Sequence, residues 1–157
     1  MPQCRMQMTL PNEILIEEAA ALLAEGRDVE LQAKGDSMLP FIVGDRDSVI
    51  LRKECCVTPR PGDIVLARRG SGNYVLHRII GVDGDKVTLR GDGNVRGTEF
   101  VRREDILGKV VKVVHPSGKA CVPGRARFWR NTGAVVRRFA LAVYRRTIYR
   151  IIIIHNR

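Results

Sequence analysis

No stretch of the chain holds the roughly 18 to 20 uncharged apolar residues that a membrane-spanning helix needs, so no transmembrane segment is predicted. The opening residues, MPQCRMQMTLPNEIL, lack a charged segment followed by an apolar run and a small-residue cleavage site, and they do not read as a secretory signal. The four cysteines, Cys4, Cys55, Cys56 and Cys121, form no evenly spaced framework. Adjacent cysteines such as Cys55 and Cys56 rarely bridge each other, which points to a reducing compartment. There is no CxxC pair and no histidine cluster at ligand spacing, which argues against a structural zinc; no metal or other cofactor is expected. These absences together predict a cytoplasmic protein, free or peripheral at a membrane.

Acidic residues are missing from one region only. Residues 106–157 carry 12 Lys and Arg and no Asp or Glu, whereas the first 105 residues carry 15 basic and 17 acidic residues. The net charge of +10 therefore belongs to the last third, and any argument for an anionic partner concerns that third alone.

The chain is long enough to bury one real core. From Pro11 to Glu25, Leu15, Ala19, Leu22 and Leu23 recur at helical spacing. Glu13, Glu17 and Glu18 stand early, where the helix dipole favours anions, and Gly26 supplies a stop. From Val29 the pattern changes to six short β-branched runs, VELQAK, DSVILRK, DIVLAR, NYVLHRIIGV, KVTLR and GKVVKVV, separated by Gly, Pro and Asp. With no long helices between them, they predict a mainly antiparallel β fold with hairpins at RGSGN and DGD. After His115 the segment PSGKACVPGRARFW is loop-like, and a helical pattern runs on from Asn131. On its wheel Arg138 and Arg145 lie opposite Val136, Ala140, Val143, Thr147 and Ile151. The expected organisation is an N-terminal helix on the core (1–28), a β core (29–115), and a basic loop with an amphipathic C-terminal helix (116–157).

Chemistry concentrates in two stretches. KGDSMLPFIVGDRD, Lys34 to Asp47, puts Ser37 in a loop between two predicted strands. A serine hydroxyl is a weak nucleophile until a base takes its proton, and taken alone Ser37 reads as a turn residue. YVLHRIIGV puts His77 in the middle of an apolar strand, where a histidine is usually a satisfied structural residue; imidazole is nonetheless the side chain best suited to proton transfer near neutral pH.

Taken together, the two stretches resemble a known family. GDSMLPFIVGD is similar to the nucleophile box of the S24 and S26 serine peptidases, which include LexA-type repressors, phage repressors and signal peptidases. GDIVLAR resembles their next strand, and the 40-residue interval from Ser37 to His77 suits their nucleophile-to-base spacing. The resemblance covers roughly residues 29–114 and implies a LexA/signal-peptidase-like β fold and a serine endopeptidase with Ser37 as nucleophile. Gly35, Asp36, Met38 and Pro40 would surround it as oxyanion and substrate-binding positions. Many members use a lysine base, but LHRI places His77 at that position and leaves Lys53 and Lys86 outside it, as in the histidine-type signal peptidases. Those enzymes also carry an aspartate in a motif similar to GDNN. Here GDGN offers Asp92 as the residue that would orient His77, with Asp105 in EDILGK as the alternative.

Two departures accompany the resemblance. Signal peptidases commonly carry a serine two positions before the nucleophile, and this chain has Gly35, which shifts more of the oxyanion role to the Ser37 N–H. The anchor of the signal peptidases and the DNA-binding domain of the repressors are not seen. Three functions stay open: a peptidase cleaving extended peptides after small residues, a self-processing regulator, and a non-catalytic peptide- or membrane-binding module. No Ala-Gly or Cys-Gly pair precedes Ser37, which counts against self-processing. The tail, residues 125–157, alternates arginines with aromatics; a helix docked on the body, an anionic membrane surface and, less favoured, nucleic acid are its three readings.

Overall fold

A computed structural model describes residues 12–53, 58–70, 72–148 and 150–151. Cys4, Cys55 and Cys56 lie outside these residues; Cys121 is a free, exposed thiol. The helix α1 spans Asn12–Ala24, within one residue of the expected segment. It ends at Gly26, where the Arg27 N–H donates to Leu22 O and the Gly26 N–H to Leu23 O, the paired bonds of a Schellman stop. Ala19 and Leu23 are buried against the sheet, as their helical spacing dictates.

Among the described residues eight strands follow: β1 (Val29–Gln32), β2 (Ser48–Arg52), β3 (Ile64–Arg68), β4 (Tyr74–Asp83), β5 (Lys86–Arg90), β6 (Glu99–Arg102), β7 (Ile106–Val114) and β8 (Ala120–Cys121). They form one sheet in the order β1-β2-β7-β3-β4-β5-β6, with β8 also on β7, and every pairing is antiparallel. The mainly antiparallel β fold is therefore the observed one. The six expected runs are β1 to β5 and β7, and the two expected turns join β3 to β4 and β4 to β5. Two strands were not anticipated. β8 lies in the segment read as loop, and β6 is four residues, EFVR, whose burial alternates too briefly to stand out from a polar connection.

The sheet's apolar side chains form two buried groups. One joins α1, β1, β2, β3 and β7 to Met38 and Ile42 of the β1–β2 connection. The other, with Val65, Ala67, Ile79, Val87, Leu89 and Val101, lies between β3, β4, β5 and β6. A third cluster joins the body to the C-terminal helices α2 (Arg127–Asn131) and α3 (Ala134–Arg146): Leu39 and Val43 are buried with Leu141, and Val95, Trp129 and Tyr144 pack around them. α3 turns Arg137 and Leu141 inward, so the apolar stripe read from its wheel is not the side that packs on the body. Val136 and Val143 of that stripe are exposed.

Candidate active site

Ser37 stands on the long connection between β1 and β2, residues 33–47. The connection is closed at its base by the Ala33 N–H to Asp47 O (2.9 Å) and the Asp45 N–H to Ala33 O (2.8 Å). Met38, Leu39, Ile42 and Val43 anchor it from within, each at most 2% exposed, and leave the half-buried Ser37 in front. Two backbone approaches shape it. A Cβ on Gly44 would stand 2.1 Å from Gly35 O, so the two ends of the box meet because residue 44 lacks a side chain. A Cβ on Gly93 would lie 2.4 Å from Asp36 O, and the Gly93 N–H donates to Ser37 O at 2.7 Å. The GDGN turn is thus fastened directly to the serine's own backbone.

Asp47, fully buried, steadies the far end of the connection. It accepts from the Val43 N–H (2.8 Å) and from both Arg46 nitrogens, and pairs with His115 Nδ1 at 3.0 Å. Burial alone would raise the Asp47 carboxyl; the hydrogen bonds from Arg46, Val43 and His115, with the Arg46 charge, outweigh it and hold it below the usual carboxylate range.

His77 reaches the same place from β4. A cavity of about 150 Å³ is lined by Ala33, Lys34, Gly35, Ser37, Met38, Ile42, Tyr74, Val75, Leu76 and His77. The two stretches, 40 residues apart in sequence, thus meet across one opening, with no hydrogen bond between Ser37 and His77 among the described residues. Catalytic hydrogen bonds commonly tighten only when substrate is bound. His77 is 5% exposed and its Nδ1 lies 2.5 Å from Glu99 Oε2. A carboxylate only accepts, so the proton sits on Nδ1, and in the neutral imidazole Nε2 is then the acceptor. Arg69 Nη1 stands 3.5 Å from the other Glu99 oxygen. Glu99 opens β6, two strands from His77, and reaches it because the β4–β5 ladder stops at the Arg78–Arg90 pair and leaves that side of His77 clear.

The two aspartates expected beside His77 pair with other groups, and the carboxylate at His77 Nδ1 is that of Glu99. Asp92 receives Arg78, with Nε 2.8 Å from Oδ1 and Nη2 2.7 Å from Oδ2. Arg78 Nη1 donates to Gly62 O and Gly124 O, and the Trp129 indole N–H donates to Asp92 O. The Arg78 guanidinium also lies over the Phe41 ring, 5.5 Å from its centroid, and that ring meets Trp129 edge-on. Asp92 therefore belongs to a buried clasp joining β4, the GDGN turn, the Ser37 connection and α2. Asp105 accepts the Arg102 N–H at 3.1 Å and serves the single turn of 3₁₀ helix, Arg103–Asp105, before β7. Lys86 stacks on Phe100 and Lys53 is exposed; neither lines the cavity.

Of the other expected residues, Gly35 and Met38 line the cavity, Asp36 precedes Ser37 directly and Pro40 follows three positions on. Glu99 was missed because it stands in a strand too short to announce itself and carries no motif. In retrospect a carboxylate at the start of a β-branched and aromatic run, EFV, was the one available signal.

A family model described as Peptidase S24-like matches residues 4–111, more than half of the chain. The chain belongs to that family; β1 to β6, the first part of β7, the Ser37 box and the His77 strand fall within the matched residues, and β8 lies beyond them. No curated protein matches it.

Proposed function

We propose that the protein is a serine endopeptidase in which Ser37 is the nucleophile, His77 the general base and Glu99 the residue that orients His77. The observation that carries this reading is the shared cavity: Ser37 and His77 line it together, while Glu99 occupies His77 Nδ1 and leaves Nε2 to the serine. Ser37 Oγ attacks the scissile carbonyl as its proton passes to His77 Nε2. The imidazolium so formed is stabilised by the Glu99 carboxylate and returns the proton to the leaving amine; water then attacks the acyl-enzyme by the same route. The Ser37 N–H supplies the oxyanion donor in place of the side chain absent at Gly35.

The edges around the cavity suit an extended substrate. β4 pairs with β3 from Tyr74 onward but with β5 only from Arg78, so the backbone of Tyr74, Val75, Leu76 and His77 has one side open. A peptide added there as a strand would cross the cavity beside Ser37. Ala33, Met38, Ile42 and Leu76 among its walls suit an apolar side chain beside the scissile bond, and cleavage after small residues is the selectivity proposed. Incubation with a mixed peptide library and mass-spectrometric readout tests the proposal. Ser37→Ala and His77→Ala should each abolish cleavage, and cleavage persisting in either correctly folded variant would overturn it. The intact mass of the protein over the same incubation separates cleavage of other chains, the expected outcome, from cleavage of its own.

A further inference from the structure

Beyond the cavity, the feature the peptidase reading leaves unused is the outer side of the C-terminal helices. Positions 135, 136, 139 and 143 fall on one side of an α-helix, and Val135, Val136, Phe139 and Val143 of α3 are 82%, 59%, 72% and 47% exposed. Phe128 of α2 is exposed to 85%. This is not a loosely placed helix showing an arbitrary face. Leu141 is buried against Leu39 and Val43, Arg137 Nη2 donates to Val95 O at 2.9 Å, and the Trp129 indole holds Asp92 O. The rotation of α3 is set by these contacts, and it turns the apolar stripe to the outside.

The charge around that stripe is of one sign. Arg138 and Arg145 lie along one of its flanks, Arg146 continues its line at the end of the helix, Arg127 precedes it, and among the described residues none of the four is in a salt bridge. No acidic residue occurs anywhere from 106 onward to neutralise them. A second copy of the helix would set arginine against arginine. A polyanion such as nucleic acid would answer the charge but leave the phenylalanines and valines in water. An anionic lipid surface answers both, since the apolar side chains enter the acyl boundary while the guanidiniums meet headgroup phosphates.

We propose that the outer face of α2 and α3 docks on an anionic lipid surface. The inner face of α3 grips Leu39 and Val43, just beyond Ser37 in the same connection, so docking holds that connection at a fixed height above the lipid. This last consequence rests on the peptidase reading; the lipid binding does not.

The test uses the full chain carrying Ser37→Ala, so that loss of cleavage and loss of binding are read separately. Flotation with vesicles of phosphatidylcholine and phosphatidylglycerol in equal parts is expected to carry the protein, vesicles of phosphatidylcholine alone are not, and added salt weakens the association. Replacing Arg138, Arg145 and Arg146 by Gln lowers partitioning roughly 100-fold, because each basic residue near the surface adds a comparable increment. Val135→Ser with Phe139→Ser lowers it at least about tenfold. All five positions are exposed, and circular dichroism checks that the fold is kept. No flotation at low salt, or flotation indifferent to both sets of substitutions, overturns the proposal. So does a dimer in light scattering that Phe139→Ser abolishes, which would make a second copy the occupant. Undiminished binding of the Val135→Ser, Phe139→Ser variant to both vesicles and duplex DNA would reduce the face to a polyanion site and overturn it as well.

Discussion

His77 and Arg78 are neighbours on β4, and each ends on a carboxylate, but the two pairs do opposite things. Alternation along the strand sends His77 to the side of its cross-strand partner Val65 and Arg78 to the side of Ile64. His77 meets Glu99 with one ring nitrogen and keeps the other at the edge of a cavity. Arg78 meets Asp92 with both ends of its fork, spends its third nitrogen on two carbonyls, and is 1% exposed. An ion pair closed on every side can only hold elements together, whereas a histidine with one nitrogen committed and one free can move a proton. The difference lies in how many hydrogen-bonding positions remain unused, and not in which residue types are present.

The largest effect expected from this contrast is on stability. Asp92→Ala leaves Arg78 charged and buried without its carboxylate and should cost about 3–5 kcal/mol in urea unfolding; a loss under 1 kcal/mol would mean the clasp is not the structural member described. Next comes Glu99→Gln, which removes the carboxylate's charge and its preference for one tautomer. Peptide turnover should fall about 100-fold, or about 2.7 kcal/mol, with the pH profile altered and the thermal midpoint nearly unchanged. Unchanged turnover would assign Glu99 a packing role only.

Smaller is Trp129→Phe, which keeps the edge-on contact with Phe41 but loses the donor to Asp92 O; about 1 kcal/mol of stability is expected to go. A comparable loss of catalysis without loss of stability would instead connect α2 to the cavity. The smallest effect is on the acid limb of stability. The Asp47 carboxyl is lowered in the folded protein, so its contribution is fully present above the unfolded value of about 3.9 and is lost as pH falls through the folded value. Unfolding curves between neutral and acid pH should therefore drop less steeply in the acid range for Asp47→Asn than for the unaltered chain.

Much of this architecture was legible from local pattern. The helix at Asn12–Ala24, six of eight strands and both hairpin turns follow from periodicity and from glycine placement, and the serine and histidine follow from two ordered motifs. Asp92 was expected beside His77, and its GDGN turn does lie against the backbone of Ser37: the Gly93 N–H donates to Ser37 O. Its aspartate is nearby in the chain's logic and yet is taken up by the arginine one position beyond His77. Nothing local distinguishes a carboxylate that will meet His77 from one that will meet Arg78. The tail shows the same limit. Its amphipathicity was readable, but the side that docks was not, since Leu141 and Arg137 were chosen by the shape of the body and not by the wheel.

By itself, the sequence determined the antiparallel β class, the S24-type serine box, the histidine strand and the concentration of positive charge in the last third. Those are properties of spacing and composition, which survive without knowing what lies across the sheet. Only the tertiary structure decided that Glu99 and not Asp92 or Asp105 faces His77, and that α3 shows its apolar stripe to the outside. Both depend on contacts between segments far apart in the chain, where strand order, ladder ends and available surface set the partner.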